Sequence, residues 1–76
     1  MNASIEDFGT GWYGIHLRLR ESDIDALVEQ LLLLKSEPEH HFHAFSTVFD
    51  SEPGGVADIA FCRDDQDGDG NMGIGG

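Results

Sequence analysis

The sequence has few basic residues, a single cysteine, two prolines and no long hydrophobic run. Only four Lys and Arg accompany fifteen Asp and Glu in 76 residues, which gives a formal charge of −11 at pH 7. A surface of this sign repels nucleic acid and anionic membranes, so direct binding to either is not expected. The charge instead favours a basic protein partner, metal cations, or solubility alone.

The single cysteine, Cys62, excludes an intramolecular disulfide and is typical of a reducing compartment. A chain of this length buries only about 60% of its unfolded surface, so a partner or a homodimer would help to stabilise it. Residues 1–8 lack the basic and apolar regions of a secretory signal, and the apolar run 31–34 is too short to span a membrane. These features predict a cytoplasmic protein without membrane association.

The clearest pattern lies in residues 22–35, SDIDALVEQLLLLK. Apolar residues at spacings of three and four predict a helix with one apolar stripe: Ile24, Leu27, Val28, Leu31 and Leu34. Ser22 is the predicted N-cap, and Asp25 would complete a capping box. Pro38 is predicted to end the helix near Ser36.

Three other stretches have the alternation or composition of β-strands. Residues 12–20 alternate from Gly14 onward, and residues 39–49 are rich in aromatic and β-branched side chains. Residues 56–62 follow a Pro-Gly-Gly turn and alternate again. The predicted order is therefore β-α-β-β.

This order predicts an α+β fold in which one helix packs on one face of a three-stranded sheet, as in half of a ferredoxin-like fold. A right-handed crossover would make the first two strands parallel, and the last two would form a hairpin. Residues 1–11 are predicted as an N-terminal arm, 12–62 as a single domain, and 63–76 as a flexible acidic tail rich in Gly and Asp. The sheet face away from the helix would be open to a partner.

The histidines are the main candidates for metal binding. His41 and His43 share one strand face, and His16 and Asp58 lie on strands predicted to be their neighbours. Such a set could bind zinc or another transition metal. The alternatives are polar, half-exposed strand residues without a ligand, or a pH-responsive surface, because histidine changes charge near neutral pH.

The start of the tail matches the first half of an EF-hand loop. Asp65, Asp67, Asp69 and Gly70 follow the pattern D-x-D-x-D-G. The twelfth position is Gly76 instead of Glu, and no helix is predicted on either side. A flexible acidic tail is therefore favoured over a calcium site.

No combination of residues indicates catalysis. Cys62 ends a predicted strand without an activating motif, and the serines lack the context of a nucleophile elbow. The carboxylates lie mostly at helix ends, turns and tail, where no acid–base pair is evident. We therefore predict that the protein is not an enzyme and carries no cofactor.

Four segments between Gly14 and Phe61 carry a resemblance to a known group of proteins: GIHLRL, DIDALVEQLLLLK, HFHAFS and GVADIAF. Their order resembles small bacterial immunity proteins of polymorphic toxin systems, the Imm32-like group. The resemblance implies a protein that binds and neutralises a cognate toxin and has no catalytic residues. The acidic tail is not part of it.

The leading hypothesis is a small acidic protein-binding module that inhibits a basic partner protein in the manner of an immunity protein. Its expected contact residues are mostly aromatic or charged: Trp12, Tyr13, His43, Phe45 and Asp58. The alternatives are a His/Asp metal-binding module and an acidic mimic of nucleic acid, as in some phage-type inhibitors. A homodimer could also close the open sheet face through Leu33 or an edge strand.

Overall fold

A computed structural model describes residues 1–65, 68 and 70–76. Its elements are β1 (Asn2–Asp7), β2 (Tyr13–Arg18), α1 (Glu21–Ser36), β3 (His41–Phe45) and β4 (Asp58–Cys62). The described strands form two separate antiparallel sheets of two strands each, β1-β2 and β3-β4. The combination of helix and strands was predicted correctly, but the single three-stranded sheet with a helix on one face was wrong.

The sheet prediction failed because β2 pairs with a strand that the sequence did not indicate. Residues Asn2–Asp7, assigned to an arm, form β1 and pair with β2 along its whole length. Ala3 lies opposite Leu17, and Ile5 lies opposite Ile15. Strands joined by a short turn meet first, so β2 is paired locally and does not join β3 through a parallel crossover.

The turn between β1 and β2 depends on two glycines. Gly9 and Gly11 have φ angles of 73° and 90°, which non-glycine residues rarely adopt. The backbone N–H of Phe8 donates to the Trp12 carbonyl at 3.1 Å, which extends the ladder beyond the strands. Asp7 Oδ1 accepts a hydrogen bond from the Gly9 N–H at 2.8 Å. These contacts set the register of the first hairpin.

Helix α1 begins earlier than its sequence predicts. Its N-cap is Arg20, whose backbone N–H donates to the Asp23 carboxylate at 2.9 Å. The prediction of Ser22 as N-cap was wrong. Ser22 lies within the first turn, and the Asp23 carboxylate accepts a hydrogen bond from the N-cap N–H, which has no partner within the helix. The predicted end near Ser36 is confirmed. No helix in the described part of the chain is long and apolar enough to cross a membrane.

Only part of the apolar surface of α1 is covered by other residues. Leu27, Gln30 and Leu34 are half-buried on one side, whereas Ile24 and Val28 are exposed. Leu33, which is not part of the predicted stripe, is also half-buried. The apolar stripe of α1 is therefore only partly covered by the rest of the chain.

Three polar contacts connect α1 to the hairpins. Gln30 Oε1 lies 3.0 Å from His40 Nε2, just before β3. Arg63 Nη1, just after β4, donates to the Lys35 carbonyl at 3.3 Å. The Met1 ammonium forms an ion pair with Asp23 at 2.9 Å, at the start of β1. Polar groups thus supply several of the links between the helix and the sheets.

The predicted hairpin of the last two strands is confirmed. Phe42 lies opposite Phe61, and their rings stack with centroids 4.6 Å apart and planes 7° from parallel. Ala44 lies opposite Ile59 on the same face. All four side chains are half-buried, so this is the better covered face of the second hairpin.

None of the described residues is buried. Ile15 is 60% exposed, and Leu17 on the same face of β2 is also exposed. An isolated two-stranded hairpin is marginally stable in water unless a further element covers its apolar face. The described part of the chain therefore has secondary structure without a closed hydrophobic core.

Candidate binding surface

The outer face of the second hairpin carries most of the chemically distinctive side chains. We call it the second-hairpin face, and its members are His41, His43, Phe45, Asp58, Ala60 and Cys62. All are exposed. Because side chains alternate along a strand, Phe42 and Phe61 lie on the opposite face. Across the two strands, His41 lies opposite Cys62, His43 opposite Ala60, and Phe45 opposite Asp58.

A histidine and a carboxylate form a defined pair on this face. His43 Nδ1 lies 3.0 Å from Asp58 Oδ1 and 3.1 Å from Oδ2, so an Nδ1–H donates to both oxygens. The side chains are 45% and 49% exposed. The His41 ring meets the His43 ring edge-on, with centroids 5.5 Å apart. The pairing orients the His43 ring with its Nε2 away from the carboxylate.

The first hairpin presents an apolar surface of which the sequence identified only Tyr13 as a contact residue. We call it the first-hairpin face, and it consists of Ala3, Ile5, Tyr13, Ile15 and Leu17. All but Ala3 are exposed. Alternation correctly placed Ile15 and Leu17 on a common side, but it does not reveal whether a helix covers that side. On the opposite side His16 Nε2 lies 2.8 Å from Glu6 Oε2.

The five predicted contact residues divide between the two hairpins. Trp12 and Tyr13 lie where β2 begins, and Trp12 is 76% exposed. His43, Phe45 and Asp58 all lie on the second-hairpin face, where Phe45 is 73% exposed. Their role in binding stays a prediction.

The structure brings together only three of the four predicted metal ligands. His41, His43 and Asp58 share the second-hairpin face, but His16 lies in the other sheet and pairs with Glu6. Its placement beside the others depended on the single sheet, which was wrong. In the described part of the chain, no three His, Cys, Asp or Glu side chains already surround a common metal position.

One potential ligand was overlooked in the sequence. Cys62 is exposed and lies directly across the strands from His41. Only the register of the hairpin reveals this neighbour, because the two residues are far apart in the chain. The EF-hand-like pattern in the tail cannot be followed in the same way, since Asp67 and Asp69 lie outside the described residues.

A cleft of about 600 Å³ lies between the start of β1 and the loop that joins β3 to β4. Phe45, Val48 and Phe49 contribute apolar surface to it, and His43 and Asp23 contribute polar groups. The cleft therefore continues from the second-hairpin face towards the N-terminus of the helix. Its mixture of apolar and acidic groups would suit a partner side chain that has an apolar stem and a cationic end.

The start of the helix is the acidic part of this cleft. The Met1 ammonium and, after it, the Arg20 backbone N–H lower the pKa of Asp23 below its ordinary value. Both contacts stabilise the charged form of the carboxyl group. Asp23 is therefore a carboxylate at neutral pH.

No protein-family model, curated protein or solved structure matches the chain. The resemblance to immunity proteins, and the activity that it implies, thus stay predictions based on the residues themselves.

Proposed function

We propose that this chain is a small acidic protein-binding module that inhibits a basic partner protein, in the manner of an immunity protein. The observation that supports the proposal is the absence of any buried residue in the described part of the chain. Large apolar side chains are exposed on both hairpins and on the helix. A partner would provide the neighbours that these side chains lack.

The exposed aromatic residues could contribute a large part of the binding free energy. Burying a large apolar side chain contributes about 1.5–3 kcal/mol, and aromatic residues account for much of the energy of protein interfaces. Trp12 and Phe45 are each about three-quarters exposed, so most of this contribution is available to a complex. Binding would then complete the fold, and part of the interaction energy would offset the ordering of the chain.

Charge distinguishes between the possible occupants of these surfaces. Each chain carries −11 at pH 7, so a homodimer would bring like charges together. A basic partner is attracted instead, and such steering can raise association rates to about 10⁸ M⁻¹s⁻¹ or more at low salt. We therefore favour a basic protein over a second copy of the chain.

The proposal places the protein in the cytoplasm and assigns it no catalytic role. Its single cysteine allows no internal disulfide, which suits a reducing compartment. Its expected contacts are the first-hairpin face with Trp12 and the second-hairpin face with the adjoining cleft.

The experiment begins with capture of a partner on the immobilised chain, followed by calorimetric and kinetic measurements with the purified pair. Trp12→Ser and Phe45→Ser are each expected to weaken binding at least about tenfold, which corresponds to roughly 1.4 kcal/mol. Met72→Ser is the matched control, because Met72 is apolar and 86% exposed but lies outside both faces.

Salt provides the second part of the experiment. The association rate is expected to fall as salt rises, because screening weakens the attraction between the acidic chain and its partner. An acidic partner, or one whose affinity is unchanged by both Ser substitutions, would contradict the proposal.

A further inference from the structure

Cys62 lies on the second-hairpin face but was not among the metal ligands predicted from the sequence. Its sulfur adds a third donor to His41 and His43. We propose that His41, His43 and Cys62 bind one zinc ion on this face, with Asp58 holding the His43 ring in place. The three side chains come from two adjacent strands and are all exposed. The proposal does not depend on the identity of a protein partner.

His43 already has the orientation of a metal ligand. Its Nδ1–H is bonded to the Asp58 carboxylate at 3.0 Å, which leaves Nε2 as the available donor. Metal-binding histidines commonly donate their second ring N–H to a carboxylate, which fixes the tautomer and makes the ring a better ligand. Asp58 therefore acts as a positioning residue rather than as a ligand.

The other two donors are neighbours of His43 on the same face of the hairpin. Cys62 is directly opposite His41, an arrangement that places Cβ atoms about 4.5–5.5 Å apart in antiparallel strands. His41 and His43 lie two residues apart on one face, with ring centroids at 5.5 Å. Cys62 is the diagonal neighbour of His43, at about 7–8 Å in such a ladder. Zinc bonds of about 2.0–2.3 Å to nitrogen and sulfur can join the three side chains once their rotamers turn towards a common point.

Some rotation of side chains is required before the metal can bind. The described side chains do not yet place three donors around one point, and the His41 ring packs edge-on against His43. His41 and Cys62 are exposed, so no core contact opposes a change of rotamer. Zinc would then connect β3 to β4, which adds a link that the hairpin lacks.

The donor types select the class of metal. Two imidazole nitrogens and a thiolate suit zinc, whereas magnesium and calcium require oxygen ligands. On binding, the sulfur of Cys62 forms a bond to the metal and releases its proton to solvent, so affinity falls as the pH is lowered. A fourth position remains for water or for a side chain of a bound protein.

Titration of the untagged protein with cobalt(II), followed by displacement with zinc, tests the proposal. We expect one equivalent of cobalt to bind and to produce the near-ultraviolet absorption of a thiolate–cobalt bond. Cys62→Ser is expected to remove this absorption, and His41→Gln and His43→Gln are each expected to weaken binding at least tenfold. Asp58→Asn is expected to weaken binding about 10- to 100-fold while the absorption persists.

Two other histidines serve as controls. His40→Gln removes a ring that is bonded to Gln30, and His16→Gln removes one from the first hairpin. Both variants are expected to bind cobalt with unchanged affinity. Circular dichroism of each metal-free variant shows whether a loss of binding reflects a loss of structure.

Three results would overturn the proposal: no binding by the wild-type protein, binding at half an equivalent, or a cobalt affinity that Cys62→Ser leaves unchanged. Half an equivalent would mean that two chains share one ion. Each of these results concerns the chain alone, so it would leave the proposed binding of a basic protein untouched.

Discussion

Two phenylalanines of β3 point to opposite faces of the second hairpin and are expected to have different roles. Phe42 stacks on Phe61, whereas Phe45 is exposed. Phe42→Ala is expected to lower the free energy of unfolding by about 1 kcal/mol, through loss of a cross-strand aromatic pair. Phe45→Ala is expected to change it by less than about 0.5 kcal/mol. Urea denaturation followed by circular dichroism measures both, and equal losses would contradict the assignment of faces.

Asp23 is expected to make the stability of the chain depend on pH. Contacts with the Met1 ammonium and then the Arg20 N–H lower its folded-state pKa. A lowered folded-state pKa means that the carboxylate stabilises the fold fully above the unfolded-state pKa and loses this effect as the pH falls through the folded-state value. Asp23→Asn is therefore expected to be less stable than the wild type at neutral pH and equally stable in acid.

Urea denaturation at a series of pH values measures the difference between these two proteins. Asp25→Asn is the control, because it makes the same chemical change on the same helix at an exposed residue, whereas Met1 and Arg20 contact Asp23. A difference between wild type and Asp23→Asn that persists in strong acid would show that the carboxylate charge is not its cause.

At the scale of elements, the turn between β1 and β2 determines whether the first hairpin forms. Gly11→Ala is expected to destabilise this hairpin by about 1 kcal/mol, because Gly11 has a φ of 90°. Gly54→Ala is the control, since a Cβ there meets no atom within 4 Å and the residue does not adopt a left-handed φ. Hydrogen exchange of the β1 and β2 amides measures the effect. Unchanged exchange in Gly11→Ala would show that the turn does not control the pairing.

The elements could be predicted from sequence where a local pattern specifies them. The helical period of α1, the aromatic and β-branched composition of β3 and the alternation of β4 predicted those elements, and the end of the helix near Ser36 was correct. Strand β1 was missed because NASIED contains only two apolar residues, although the Gly9-Thr10-Gly11 turn was a signal for a hairpin.

Such local patterns do not predict which strands pair with each other. Alternation assigns each residue to a face, but it does not say which strand or helix lies beside that face. His16 was therefore placed near His43 in error, and the position of Cys62 opposite His41 was not foreseen. The exposure of Ile15 was missed for the same reason, because covering that residue requires a helix that the structure places elsewhere.

At the scale of the whole molecule, the charge of −11 lowers the stability of the free chain and favours association with the proposed basic partner. Added salt is expected to raise the free energy of unfolding of the free chain, because screening reduces repulsion among its carboxylates. The same salt is expected to slow association with a basic partner. Urea midpoints measured from low to about 0.5 M potassium chloride test the first effect. A fall in stability would show that ion pairs such as Arg63–Asp65 outweigh the repulsion.

Both sheets join strands that are consecutive in the chain, so each forms as a hairpin without a crossover. Single hairpins form in about 1–10 μs. Ordering of this protein at a partner's surface is therefore expected to be faster than the diffusion that brings the two molecules together at cellular concentrations. A freshly synthesised copy would then be competent to bind the proposed partner almost at once, with collision frequency as the limiting step.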